Sequence, residues 1–229
     1  MRKRVRLVQK WLPQPGHVLD VGCATGTFLA SLREHGWNAQ GVELSHYAAE
    51  YARQRHGLTV FTGELAEAHL PDKQFDLVVL WDVLEHVHQP RETLLEAARV
   101  AKQSGTLLLV LPNPHSIDAW LFGKYWAGWD TPRHLYIYTE PVIRRLLYET
   151  GWQMVEMTCI TGRIWFFNLS LSHLLQNKLT HEGLRRLIIM IMQSLPVRIL
   201  SLPYFMIIER LKKGAGMAVF AHRLEEDHG

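Results

Sequence analysis

The feature that most constrains this chain is the stretch VLDVGCATGTFL, which begins at Val18. The apolar run His17–Val21 predicts a buried parallel strand, two glycines follow, and Thr27–Arg33 has helical spacing. A strand, a glycine turn and a helix in this order form a ligand cradle, because glycine lets the backbone turn sharply and approach a bound molecule. Asp20 lies near the end of the strand, where its carboxylate can accept hydrogen bonds from an amino group or a sugar hydroxyl.

An acid followed by a glycine-rich turn resembles the first motif of class I S-adenosylmethionine-dependent methyltransferases. A dinucleotide-binding Rossmann motif is the alternative, but it requires glycines at its first, third and sixth positions. Counted from Gly22, Ala24 stands at the third position and Thr27 at the sixth. Ala24 also replaces a glycine that is common in the methyltransferase motif. The resemblance implies S-adenosylmethionine as cofactor, bound by Asp20, Gly22, Cys23, Ala24 and Gly26.

A second acid supports nucleoside binding. Asn38–Glu43 reads as the second strand, and Glu43 lies at its carboxyl end, about 20 residues past the glycine turn. An acid at this place can bind both ribose hydroxyls, and class I methyltransferases have a similar acid there. In this chain Leu44 follows the acid and is also an expected cofactor-binding residue. A dinucleotide protein would also place an acid here, so Glu43 does not distinguish the two classes.

Two further turns resemble cofactor-binding segments of the same family. After a third strand at Leu58–Phe61, the turn containing Gly63, Glu64 and Leu65 corresponds to the one beside the adenine. A fourth apolar strand, Phe75–Leu80, is followed by WDVLEH, which is similar to the fourth-strand motif of ubiquinone-biosynthesis-type methyltransferases. The resemblance therefore adds Trp81 and Asp82 to the expected cofactor-binding residues.

The remaining pattern indicates an α/β fold. Helices are predicted at Val5–Leu12, Ser45–His56, Pro90–Lys102 and Thr139–Thr150, and later strands at Gly105–Leu111, Gln153–Ile160 and Gly216–His222. This alternation predicts a parallel sheet of order 3-2-1-4-5, with a ligand at its switch point. The resemblance extends this to a Rossmann-like, mostly parallel sheet of seven strands in the order 3-2-1-4-5-7-6. Helices would cover both faces, and a helical insert would separate the last two strands.

Residues 112–138 read as a long aromatic loop, and long loops beyond strand ends are often functional. The substrate-side candidates are Trp126, Trp129, Arg133 and Tyr136. His86 and His134 are the candidate catalytic bases, because histidine titrates near neutral pH. The thirteen histidines show no convincing zinc spacing, so no metal site is predicted.

The expected domains are a basic N-terminal helix or arm (1–14), a methyltransferase domain (15–160 and 216–224) and an apolar helical insert (161–215), which would be a substrate lid, a dimer element or a membrane-facing segment. Residues 163–213 of the insert contain eight basic residues against Glu182 and Glu209. Its apolar runs are too interrupted for a membrane span. Three covers stay open for residues 184–213: the domain itself, a homodimer partner, or the surface of an anionic membrane.

Composition limits the function. Of 229 residues 48% are apolar and 21% charged, which provides a core and excludes general disorder. The chain has only two cysteines, which lie far apart in the sequence, and its basic N-terminal segment is not followed by the apolar core of a signal peptide. These features indicate a cytoplasmic protein, and membrane association stays open. The interpretation is that the protein transfers a methyl group to an oxygen atom of a small-molecule acceptor. This acceptor is expected to be amphiphilic, like a quinone precursor or a lipid-linked sugar, and nucleic acid is not expected as a substrate. A non-catalytic binding protein and a nicotinamide oxidoreductase remain as alternatives.

Overall fold

The computed structural model describes residues 1–159 and 164–224. Its strands are β1 (His17–Val21), β2 (Asn38–Glu43), β3 (Thr59–Thr62), β4 (Phe75–Trp81), β5 (Ala101–Pro112), β6 (Trp152–Cys159) and β7 (Gly216–Arg223). They form a seven-stranded sheet in the order β3-β2-β1-β4-β5-β7-β6, which confirms the predicted order. β1 pairs in parallel with β2 and β4, and β2 with β3. The carboxyl ends of these four strands therefore share one edge of the sheet, where the expected cofactor-binding turns follow.

Ten α-helices lie in the described residues around this sheet. They are α1 (Arg2–Trp11), α2 (Thr27–Arg33), α3 (His46–His56), α4 (Pro90–Val100), α5 (Ile117–Phe122), α6 (Glu140–Glu149), α7 (Ile164–Lys178), α8 (Glu182–Gln193), α9 (Leu195–Leu200) and α10 (Leu202–Arg210). Local sequence explains both ends of α3. The Ser45 hydroxyl accepts a hydrogen bond from the Ala48 amide at 3.3 Å and caps α3, while Gly57 ends the same helix in the left-handed conformation.

The N-terminal helix packs on the last strand. Val5 and Val8 of α1 are buried, and the Trp11 ring stacks on Phe220 of β7 with ring centroids 4.4 Å apart. Stacked aromatic rings add to the burial of apolar area. The predicted N-terminal helix is therefore present and packed, but it begins at Arg2 rather than at the expected Val5.

The structure corrects two predicted boundaries in the middle of the chain. β5 begins at Ala101, so the helix before it ends at Val100 and not at Lys102. Lys102 fits the strand because its Nζ bonds both carboxylate oxygens of Asp76, at 2.8 and 2.9 Å. The predicted loop at 112–138 contains α5 and two 3-10 helices, Gly123–Tyr125 and Ala127–Trp129. Ile160 and residues 161–163, the expected end of one strand and start of the insert, lie outside the described residues.

The chain divides into two compact units. The first unit contains residues 1–109, 144–156 and the chain from Val219 onward, and the second contains 110–143 and 157–218. This division groups the segment after β5 with the helices of the insert, whereas the sequence analysis placed that segment in the methyltransferase domain. The expected cofactor residues all belong to the first unit.

Candidate cofactor site

The turn from β1 to α2 requires glycine at two positions. Gly22 and Gly26 have φ angles of 74° and 73°, in the left-handed region that favours glycine. A Cβ on Gly22 would also lie 2.5 Å from Cγ2 of Val83, and one on Gly26 would lie 2.6 Å from Cδ1 of Leu58. Ala24, between them, has a φ of 48° although it carries a Cβ. Because the two glycines carry no side chain, a ligand can approach the backbone of this turn closely, as a ligand cradle requires.

Glu43 ties this turn to the end of β2. Its Oε2 accepts a hydrogen bond from the Ala24 amide and its Oε1 one from the Ser45 amide, both at 2.8 Å. An ionised carboxylate has about four acceptor sites. Two backbone amides thus fix the orientation of the side chain and leave acceptor capacity for two hydroxyl groups. Ribose binding by Glu43 remains a prediction that this arrangement fits.

Asp20 is the buried acid of the site. Its side chain is 3% exposed, and Oδ1 has no hydrogen-bond partner among the described residues. Burial raises the pKa of the carboxyl to about 7, although the positive charge of Arg4 lowers it. A buried carboxylate oxygen without a partner is destabilising unless a donor reaches it. The residue fits a site whose ligand carries an amino group, as S-adenosylmethionine does.

Arg4 also belongs to this site, although it was not among the expected residues. Its guanidinium lies 4.1 Å from the centroid of the Trp81 ring, a cation–π contact, and Trp81 lies 5.8 Å from Phe28. The available signal was the basic run at the start of the chain together with the three-residue spacing of Val5 and Val8. These two apolar positions fix the buried face of α1.

The other expected cofactor residues lie around the same strand ends. The Gly63 amide donates to the carbonyl of Glu43 at 3.1 Å, and Glu64 begins a 3-10 helix, Leu65–Ala68, through a capping box with Glu67. Leu65 is buried, so its side chain supports the turn rather than exposing a contact surface.

The remaining members of the set differ in exposure. Leu44 is 68% exposed, and Asp82 has a φ of 55° in the turn after β4. Cys23 is buried, and burial raises the pKa of its thiol, which keeps the thiol protonated. Cofactor contacts by these three residues remain predictions.

The two candidate bases differ in their surroundings. His86 is exposed in the turn after β4, where its backbone amide donates to the carbonyl of Val83. The side chain of His134 is 7% exposed, and its Nδ1 lies 2.7 Å from the carbonyl oxygen of Gly128. A carbonyl only accepts, so Nδ1 carries the hydrogen and the neutral ring has its lone pair on Nε2. The Nε2 atom lies 3.9 Å from Oδ2 of Asp130.

The substrate-side candidates divide into one core residue and three more exposed ones. Trp126 is 1% exposed and packs with Ala119 and Phe122, so the structure shows a packing role for it. Trp129 and Tyr136 are about 40% exposed, and Arg133 forms an ion pair with Asp130 at 2.7 Å. Acceptor contact by these residues stays a prediction.

Known proteins share this sequence pattern. A family model described as "Methyltransferase domain" matches residues 1–157. An O-methyltransferase of Pyrenophora dematioidea is 29% identical over 181 residues, 71% of this chain and 64% of that protein. A ubiquinone biosynthesis O-methyltransferase of Azoarcus sp. (strain BH72) is 34% identical over 157 residues, 63% of this chain and 67% of that protein. Across four curated relatives, including these two, the matches span between about half and two thirds of the relative's length.

A solved structure shares the fold. Geranyl diphosphate C-methyltransferase from Streptomyces coelicolor A3(2), in complex with Mg²⁺, geranyl diphosphate and S-adenosyl-L-homocysteine, matches with a TM-score of 0.61. The match covers 96% of this chain and 78% of that one, at 14% identity, and therefore shows the fold alone. Because the family model covers more than half of the sequence and the predicted strand order is confirmed, the chain belongs to the class I S-adenosylmethionine-dependent methyltransferases.

Proposed function

We propose that this protein transfers a methyl group from S-adenosylmethionine to a hydroxyl oxygen of a small amphiphilic molecule. The observation that supports cofactor binding best is the pair of acids at the ends of β1 and β2. Asp20 presents a buried oxygen without a partner in the described chain, and Glu43 is oriented by two backbone amides. The cofactor supplies an electrophilic methyl group on a sulfonium. The protein's contribution is to bind and orient the reactants, an effect worth up to about 7–11 kcal/mol.

Oxygen as the methylated atom is supported by the relatives, two of which are named O-methyltransferases. A hydroxyl nucleophile must lose its proton, and a histidine can accept it near neutral pH. We assign this role to His134, because the Gly128 carbonyl fixes the tautomer that leaves the lone pair on Nε2. Asp130, 3.9 Å from Nε2, can stabilise the ring once it carries the proton.

Calorimetry tests the cofactor and its class. S-adenosylmethionine and S-adenosylhomocysteine should each bind to the intact chain and raise its melting temperature, while NAD should do neither. At a ligand concentration 100 times the dissociation constant, stabilisation reaches about 2.7 kcal/mol. Binding of NAD alone would contradict the proposal.

Turnover is measured by transfer of a radiolabelled methyl group to a panel of phenols, amines and prenylated catechols. We expect transfer to the hydroxyl compounds and a preference for those with an apolar tail. The change His134→Gln should lower kcat by about 10²- to 10⁴-fold without changing cofactor affinity, and His86→Gln provides the matched control. Cofactor binding without transfer to any compound of the panel would favour the non-catalytic alternative. Equal loss in both variants would remove the assignment of His134.

A further inference from the structure

We propose that α8, α9 and α10 form a membrane-docking element that lies in the interface of an anionic lipid bilayer. The inference goes beyond methyl transfer and does not depend on it. All three helices belong to the second unit, and none of the described residues of α8 and α9 is buried. Several large apolar side chains of the three helices are therefore exposed, although Ile208 of α10 is buried. The chemistry of the residues around them indicates what covers them.

The exposed apolar side chains follow the helical repeat. On α8, Leu184, Leu187 and Ile191 are spaced by three and four residues and are 46–49% exposed, so they form one stripe. Beyond the break after α8, Leu195, Ile199, Leu202 and Met206 follow one another at intervals of three and four residues and are 54–67% exposed. Leu200, at 79%, is the most exposed of these helices' large apolar side chains. A face of this length without protein cover marks an interaction surface.

Positive charge surrounds this face. Residues 182–213 contain six basic residues against Glu182 and Glu209. Arg186 forms an ion pair with Glu182, while Arg198 and Lys213 are exposed. Apolar side chains on one face with arginine and lysine around them match the boundary between acyl chains and anionic headgroups.

The geometry favours a helix pair lying in the interface over a membrane span. Among the described residues no single helix meets the length and apolarity of a span, although α8 taken together with Leu195–Arg210 meets both. That pair bends by 55° at a break that contains Ser194, and Arg198 follows it closely. A charge held at the bilayer centre costs about 2.5–3.5 kcal/mol on insertion scales. At the interface, the same arginine can reach a lipid phosphate.

A groove at this surface offers a place for part of a lipid. It has a volume of about 540 Å³ between α7, α8 and α9. Trp165 and Ile189 provide apolar walls, and Arg198 adds a charge able to bind phosphate. Tryptophan is also enriched at membrane–water interfaces, and Trp165 is 55% exposed.

The charge distribution argues against a second copy of the chain as the cover. A twofold dimer places the same patch against itself, so the basic residues of one copy would face those of the other. Like charges across an interface oppose association. An anionic bilayer instead provides opposite charge and an apolar layer together.

The experiment is co-sedimentation of the full chain with phosphatidylcholine vesicles and with vesicles that also contain phosphatidylglycerol, at low and high salt. We expect binding to the anionic vesicles, weakened by salt. The variant Arg198→Glu/Lys213→Glu should bind at least about 30-fold more weakly, because each basic residue near the surface contributes about 1 kcal/mol. The matched control is Arg55→Glu/Arg91→Glu, which changes the net charge equally at exposed positions of the first unit and should bind like the unaltered protein.

A second pair of variants tests the apolar face. Leu187→Gln/Leu200→Gln should reduce anionic vesicle binding at every salt concentration, while Leu95→Gln/Val142→Gln, at exposed positions elsewhere, should not. The proposal is overturned if the protein stays in the supernatant in all conditions, or if both charge variants bind alike. It is equally overturned if sedimentation shows a dimer that Leu187→Gln/Leu200→Gln dissociates. Cofactor binding, measured separately, is unaffected by any of these outcomes.

Discussion

The pKa of Asp20 predicts that cofactor affinity depends on pH. Burial raises this pKa to about 7, so the carboxyl is protonated in the free protein below that value. The ammonium group of S-adenosylmethionine is best bound by the ionised form. Affinity should therefore increase with pH up to about 7 and then level off, since only the ionised fraction of the protein is competent to bind.

The magnitude follows from the ionised fraction. At about pH 5, two units below the pKa, about one molecule in a hundred carries the ionised carboxyl, so the apparent affinity is about 100-fold weaker than on the plateau. The variant Asp20→Asn keeps the shape of the side chain and cannot ionise. It should bind about 10- to 150-fold more weakly at high pH, the range for a hydrogen bond to a charged group, and show no pH dependence between about pH 5 and 7.

The assay is isothermal titration calorimetry across this pH range, repeated at about pH 6 in buffers of different ionisation enthalpy. Binding at that pH should release about one proton per ligand from the unaltered protein and none from the variant. A flat pH profile for the unaltered protein, or the same slope in Asp20→Asn, would refute the reasoning.

The same carboxyl affects stability with a definite sign. Its pKa is higher in the folded protein than in the unfolded chain, where aspartate titrates near about 3.9. The folded state therefore binds the proton more tightly, and the free energy of unfolding falls as pH rises from about 5 to 7, by up to about 3 kcal/mol. Denaturant unfolding of the ligand-free protein should show this loss, and the Asp20→Asn variant should not.

The remaining predictions concern the turn around this acid. Ala24→Gly should stabilise the fold by about 0.5–1 kcal/mol, because the strain of a left-handed alanine is removed and the added unfolded-state entropy costs less than that strain. Gly22→Ala should instead lower stability by about 1–3 kcal/mol, and thermal melts of both variants test this. Glu43→Ala should weaken cofactor binding by about 1.5–3 kcal/mol in calorimetry, and an unchanged dissociation constant would leave Glu43 only its two backbone contacts. Arg4→Gln should raise the pKa of Asp20 and move the pH midpoint of binding upward, and an unmoved midpoint would show that Arg4 does not act on this carboxyl.

Local patterns were sufficient to predict the centre of the sheet. The strand His17–Val21 and the helix Thr27–Arg33 have the predicted bounds, because an apolar run and a glycine turn specify them within a few residues. The predicted start of β5 was wrong because Lys102 is polar, whereas in the structure its side chain is 40% exposed and pairs with Asp76 on the neighbouring strand. Local sequence does not contain that long-range partner.

The same limit applies to the candidate site. Asp20 and Glu43 could be found because they stand at fixed distances from a glycine motif. For Arg4, the basic run and the spacing of Val5 and Val8 indicate a helix, but they do not indicate the contact with Trp81, which joins residues 77 positions apart in the sequence. Trp126 shows the converse case: a tryptophan in an aromatic segment reads equally well as a ligand contact or as core, and only its burial distinguishes the two.

The strand order has a consequence for how the chain is made. In the described sheet β7 lies between β5 and β6, although β6 leaves the ribosome before it. During synthesis β6 must therefore wait for Gly216–Arg223, and the apolar helices α8 to α10 emerge within that interval. Sheet closure cannot proceed in step with elongation, so the nascent chain holds an unpaired strand and uncovered apolar helices together. During this interval we expect the exposed apolar surface to make the nascent chain prone to aggregation.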